Sequence, residues 1–277
     1  MDRLLDRAFE LLLAACAAAV VVGAAVIVGY VVGHGCRAIS LPYLLREPVD
    51  SGRDGGIGPI LAATACVTVL SVSLVVPIGL AAAAWLTEFV GPRSRTAAVV
   101  RHGLNVLASV PSIVFGLFGN AFFCVVLGWG YSIASGACTL ACMALPTMIR
   151  AAEETLRSVP LDLRRSTAAL GMNRETAILR VYLPAAWPGI VAGVLLSLGR
   201  AVSETAALLF TSGFVDRWPR SVWDPGRVLS VHIYELAMHV SGGNRAALTA
   251  ASVLIVLLLA INAAARWALP RLVRISS

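Results

Sequence analysis

Six apolar runs, near residues 9–33, 59–88, 97–127, 131–151, 187–212 and 246–268, each reach the length that crosses a bilayer, about 20 residues as a helix. Hydrocarbon offers backbone N–H and C=O groups no water, and a helix satisfies them within one segment. The expected fold class is therefore all-α, a polytopic membrane protein with six transmembrane helices in a single domain, 1–277. Composition agrees, since 58% of the 277 residues are hydrophobic and only 13% are charged. The third run is the least regular. His102, Asn105 and Pro111 interrupt it, and only the Gly128-Trp129-Gly130 turn signal parts it from the fourth, so a broken or kinked helix is expected there. The first run follows Arg3 and Arg7 but exceeds the roughly 7–15 residues of a secretory signal core, and reads as a span.

Charge and cysteine usage exclude other classes. The net charge of +7 comes from arginines scattered between apolar runs, so no basic face for nucleic acid forms. Of the six cysteines, five lie inside apolar runs and none forms a C-x2-C pair, which makes them small packing residues and leaves no metal site to expect. With the N-terminus inside, the inner segments carry 14 arginines and the outer loops 7, so both termini and the 153–186 segment are expected in the cytoplasm. The loop 34–58, rich in Gly, Pro and charge, is expected to be exposed and to end where Pro59 opens a helix. The later loop, 213–244, holds Trp218 and Trp223 as interfacial anchors. It also holds VLSVHIYELAMHV, readable either as a helix lying in the interface or as a surface helix. His34, His102, His232 and His239 read as interfacial or loop residues.

The segment 159–183 divides at Gly171-Met172-Asn173. Pro160 and Asp162 suit a helix start, Gly171 suits a left-handed stop, and a second short helix, 174–182, is expected to end before Pro184. By periodicity alone this hairpin equally suits an amphipathic connector held against anionic lipid by its arginines. Farther on, Arg200 and Glu204 stand four apart inside the fifth run, where one helix face would hold both. A charge at the bilayer centre costs about 2.5–3.5 kcal/mol, so the pair is either a mutual packing contact or part of an ion path, and a guanidinium fork suits an oxyanion. Pro111 frees a backbone carbonyl that Ser112 can satisfy, as a plain kink or as part of that path.

Three sets of residues carry a family resemblance. Gly171, Val181 and Leu183-Pro184 match the spacing of the EAA loop in permeases of binding-protein-dependent ABC importers, a family of MetI-like fold in which that loop docks on a cytoplasmic ATPase. The acidic residue that names the loop is replaced by Arg165. GRAVSETAALLFTSG at 199–213 and VPSIVFGLFG at 110–119 resemble signatures of the phosphate (Pst-type) permeases, and GGIGPILAAT with VHIYELA resembles the PstA-type more than the PstC-type subunit. The resemblance covers the chain from Gly55 onward. It implies a type I importer permease with a coupling hairpin over 153–186, ATPase docking by Arg165, Gly171, Val181, Leu183 and Pro184, and a phosphate path through Arg200, Glu204, Ser112 and Pro111. It further implies a PstC-type permease partner, two ATPase subunits, an extracytoplasmic phosphate-binding protein, and residence in a bacterial inner membrane. The chain holds no Lys, hence no Walker A pattern, so ATP would bind a partner and this subunit would be neither an enzyme nor a cofactor carrier. Other readings are a permease for molybdate, sulfate or phosphonate, an ion-coupled secondary transporter using Glu204, and an intramembrane enzyme, for which no H-E-x2-H is present.

Overall fold

The computed structural model describes residues 2–90 and 94–276, with side chains over 9–90 and 94–264. Arg93 lies outside the described residues, as do the side chains of Arg3, Arg7, Arg266, Arg271 and Arg274. The helices are α1 (Asp2–Gly35), α2 (Leu41–Leu45), α3 (Gly58–Ala84), α4 (Arg95–Ser109), α5 (Ser112–Gly119), α6 (Ile133–Arg157), α7 (Leu161–Ala169), α8 (Arg174–Ala177), α9 (Leu183–Ser203), α10 (Ala206–Leu209), α11 (Leu229–Met238) and α12 (Asn244–Ser276). The all-α expectation has one small exception, a ladder of β1 (Pro48–Val49) and β2 (Asp54–Gly55), paired antiparallel in the loop after α1.

Among the described residues, five continuous helical stretches have the length and apolarity to cross a membrane, and a sixth apolar stretch is folded in two. The latter is the third run, broken where a break was expected: α4 and the stretch Ser112–Val126 meet at 98°. The cause is local. Val110 is extended (φ −67°, ψ 130°), as a residue before proline prefers, and Pro111 then opens α5. The fourth span also outruns its expected end at 151, because α6 continues as far as Arg157.

Helix α6 is the centre, packed on α3, α4, α5 and α9, whereas α1 lies outside and touches chiefly α12. Lipid tails are as apolar as leucine, so helices here associate through close packing of small residues. Accordingly α6 buries Ala137, Ala141, Ala144 and Ala152 at its contacts, and Met148 fills the space between α3 and α9. Some buried hydroxyls bond the backbone four residues earlier: Thr139 Oγ1 donates to the Ser135 carbonyl and Thr211 Oγ1 to that of Ala207, both within 2.9 Å.

Helix α11 lies neither flat in an interface nor loosely on the surface. Leu229, Val231, His232 and Leu236 are buried, and the Leu229 N–H donates to Thr64 Oγ1 of α3 at 2.8 Å. His232, expected at an interface, is fully buried, and neither ring nitrogen has a hydrogen-bond partner among the described residues. Burial, helped by the nearby Arg227 charge, pushes its pKa down to about 3, so it stays neutral. The turn Asp50–Gly52 seats on it, with all three residues at positive φ. Any side chain at Gly52 would collide with the imidazole, its Cβ lying 2.5 Å from Cε1. His34, His102 and His239 are exposed as expected.

Candidate functional site

The hairpin end is built from four pieces. After α6 the chain turns through Ser158-Val159-Pro160 and forms α7. It reverses at Gly171, whose φ of +68° is the left-handed stop expected from sequence, and Asn173 Oδ1 then caps α8 by accepting from the Thr176 N–H at 2.8 Å. The helix beginning at Arg174 does not end before Pro184. It widens into a π turn over Ile178–Tyr182, where the Leu183 N–H reaches back to the Ile178 carbonyl, and continues unbroken to Ser203. The wider turn relieves the clash a proline ring makes with the preceding turn of a helix, and Pro184 has no N–H to satisfy.

Arg164 fastens this hairpin. Its Nη1 donates to both oxygens of Glu88 at 2.8 and 2.9 Å, its Nη2 donates to the Leu156 carbonyl at 2.8 Å, and the guanidinium sits 4.8 Å from the centre of the Tyr182 ring. The Tyr182 hydroxyl is 2.8 Å from Thr167 Oγ1, so the end of α3, the end of α6, α7 and the π turn share one polar joint. Arg165 points away, exposed and 3.8 Å from Asp162. Gly171 and Pro184 are exposed too, whereas Val181 and Leu183 are half-buried against the α3–α6–α9 core. Leu161, Leu170 and Leu179 stand out exposed on the same hairpin, an apolar surface that helical spacing did not single out.

Arg200 lies on the last turn of α9, in a groove of about 580 Å³ between α6, α9 and α12. Thr147, Ser197, Ser203 and Asn262 line it with Arg200, and no carboxylate does. The polar groups around the guanidinium are occupied: Ser203 Oγ lies 3.0 Å from the Gly199 carbonyl, Ser197 Oγ donates to Gly193 O at 2.9 Å, and Asn262 Nδ2 to Leu258 O at 2.8 Å. Arg200 makes no ion pair among the described residues and is exposed to the groove. It is thus the one charged group lining the groove among the described residues.

Glu204 is not on the helix face of Arg200. The helix ends at Ser203, Glu204 is extended (ψ 127°), its Oε1 accepts from the Ala207 N–H at 3.4 Å and its carbonyl accepts from Ser230 Oγ at 2.6 Å. The reason is competition: a carboxylate reaching the free N–H groups that open α10 is an alternative to the i, i+4 pair, and the Ser230 bond fixes it. Pro111 and Ser112 stand at the α4–α5 bend and do not line the Arg200 groove. Thr147 and Asn262 escaped sequence reasoning because their distance from Arg200 in the chain carries no periodic signal. The Glu88–Arg164 pair, 76 residues apart, escaped for the same reason.

The family described as binding-protein-dependent transport system inner membrane component matches residues 75–274. A probable ABC transporter permease, YqgI of Bacillus subtilis, is 32% identical over 96% of this chain and 94% of its own length. The phosphate transport system permease protein PstA of Xylella fastidiosa is 34% identical over 70% of this chain and 67% of its own, and PstA 1 of Mycobacterium tuberculosis is 38% identical over 61% and 55%. Among solved structures, the inward-facing MetNI methionine ABC transporter aligns over 76% of this chain and 93% of its own with a TM-score of 0.60 at 21% identity, and a bacterial ABC importer of alginate over 93% and 96% with a TM-score of 0.57 at 16% identity. Five spans and a bent sixth around α6 are thus the fold of known importer permeases. The chain belongs to the binding-protein-dependent transport system inner membrane component family and is a membrane-spanning permease of an ABC importer.

Proposed function

We propose that this permease is the PstA-type subunit of an importer that carries inorganic phosphate into the cytoplasm. The observation that supports this best is Arg200, an exposed guanidinium with no carboxylate in its groove among the described residues, on a segment resembling the Pst-type signature. A fork of parallel N–H donors suits a tetrahedral oxyanion, and a cation already paired to an acid would have to be released before binding one. The relatives named as phosphate permeases point the same way. On this reading a PstC-type permease supplies the other wall of the path. Two ATPase subunits bind ATP and engage the hairpin through Arg165, Gly171 and the exposed Leu161 and Leu170, and an extracytoplasmic binding protein delivers phosphate. Val181, Leu183 and Pro184 complete that docking surface at the base of the hairpin. Both termini lie in the cytoplasm, a reading that the arginine asymmetry supports. Glu204 fixes the joint beyond Arg200, and the Pro111-Ser112 bend supplies a point of flexure at the path.

Arg200→Gln should abolish phosphate uptake in cells that depend on this importer, while the complex still assembles in the membrane at normal level. Normal uptake by that variant would overturn the path. A second reading, another oxyanion, draws on the relative aligned over 96% of the chain, whose name specifies no substrate. Competition of phosphate uptake by excess molybdate, sulfate or phosphonate decides between them.

A further inference from the structure

On a different face of α6 from the Arg200 groove, α4 and α6 flank an open pocket of about 230 Å³ near the hairpin end. Arg101 and Asn105 of α4 and Arg150, Glu153, Glu154 and Arg157 of α6 line it, so three guanidinium groups face two carboxylates. Glu153 is buried, and its Oε1 accepts from Arg101 Nε at 2.8 Å and forms an ion pair with Arg157, whose Nη2 lies 2.8 Å away. Arg101 Nη2 also donates to the Leu86 carbonyl at 3.2 Å. Arg101 is therefore fixed in direction by two acceptors, and the half-exposed Arg157 is paired to the same carboxylate. The third has an unanswered donor: Arg150 Nε is buried and has no hydrogen-bond partner among the described residues. A buried donor left without an acceptor is costly, and Glu153, already shared between two arginines, is not within hydrogen-bond reach of it.

We propose that Arg150, with Arg101 and Arg157 oriented by Glu153, forms a second phosphate-oxyanion site at the hairpin end of the α4–α6 contact, separate from the Arg200 groove. Its chemistry is that of clustered guanidinium forks around a space large enough for one small tetrahedral anion and its water. The inference rests on the reading above for the identity of the anion and on the arginine asymmetry for a cytoplasmic mouth. Two sources carry that chemistry, free inorganic phosphate arriving from the path and the phosphate of an anionic lipid headgroup at the span end. In either case Arg150 binds the phosphoryl oxygens and the Glu153-held pair balances their charge.

The test uses the whole importer complex without its binding protein, carrying Arg200→Gln so that the groove does not contribute. In nanodiscs of neutral lipid, equilibrium binding of radiolabelled inorganic phosphate should weaken roughly tenfold when Arg150→Gln is added, the loss expected for one charge-assisted donor. Arg150→Lys, which keeps the charge without Nε and guards against a folding defect, should fall between the two. If neutral nanodiscs show no phosphate binding but phosphatidylglycerol nanodiscs retain a lipid lost with Arg150→Gln, the lipid is the source and the site stands. Neither phosphate nor lipid responding to Arg150→Gln would overturn it, as would wild-type binding by Arg150→Lys. Failure of the phosphate reading shows instead as absent phosphate uptake by the unmutated complex.

Discussion

Arg164, on the hairpin helix α7, and Arg200, on the last turn of α9, are held by the chain in opposite ways. Arg164, with 24% of its side chain exposed, is saturated by both oxygens of a Glu88 that is 12% exposed, by a carbonyl and by the Tyr182 ring. Arg200 has a groove of about 580 Å³ before it and no acid. The first arrangement is what a guanidinium needs to serve as a fastener, since a partly buried charge is tolerated only when its donors are answered. The second leaves donors open to something that comes and goes. Charge inside this permease thus separates by partner: the saturated arginine joins elements, and the open one faces space.

The largest test of this contrast is Arg164→Gln, which strands Glu88. Thermal unfolding of the purified chain in detergent should show a loss of about 2–3 kcal/mol, at or just below the range for breaking a fully buried pair. Arg164→Lys should restore less than half, because an ammonium cannot match the two-oxygen geometry. An unfolding midpoint unchanged by Arg164→Gln would erase the contrast with Arg200→Gln, whose stability is expected to match that of the native chain. Next in size is Gly171→Ala, which puts a Cβ on a backbone at φ +68° and should cost about 1–2 kcal/mol by the same assay, although space around that position is open.

The smallest effect belongs to a third kind of ionisable group, saturated by nothing yet closed to solvent. His232→Leu removes two buried nitrogens that have no partners, and at pH 7.5 it should change stability by less than about 1 kcal/mol. The sign of its pH dependence follows from a folded pKa of about 3 against an ordinary 6.5. Above pH 6.5 the ring is neutral in both states. Between 6.5 and 3 only the unfolded chain takes the proton, so native stability falls by about 1.4 kcal/mol per unit as pH drops. Unfolding midpoints at pH 7.5 and 5.0 should therefore diverge more in the native chain than in His232→Leu, and equal divergence would show that the ring is hydrated.

Much of the fold was legible because apolar length is a local property. The second span, expected at 59–88, is the helical stretch Gly58–Phe89, and Pro111 marked the break that the structure turns through 98°. What failed was competition between local and tertiary partners. Arg200 and Glu204 satisfy helical spacing, yet Ser230, 26 residues on, takes the Glu204 carbonyl and the helix ends between them. Pro184 reads as a stop, yet a π turn accommodates it. At the candidate site, Arg200 was visible as a charge in an apolar run. Thr147 and Asn262 were not, because they reach the groove only through the packing of α6 and α12 on α9.

The unbroken course from Arg174 to Ser203 makes the chain from the hairpin to the groove a single rod. From Arg174 to Arg200 it measures about 39 Å at 1.5 Å per residue. A rod of that length pivoting at its hairpin end by about 5° carries its far end through about 3 Å, roughly the length of a hydrogen bond. A tilt that small is enough to make or break the contact of a guanidinium with an anion, so this lever needs no unfolding of the span between its ends.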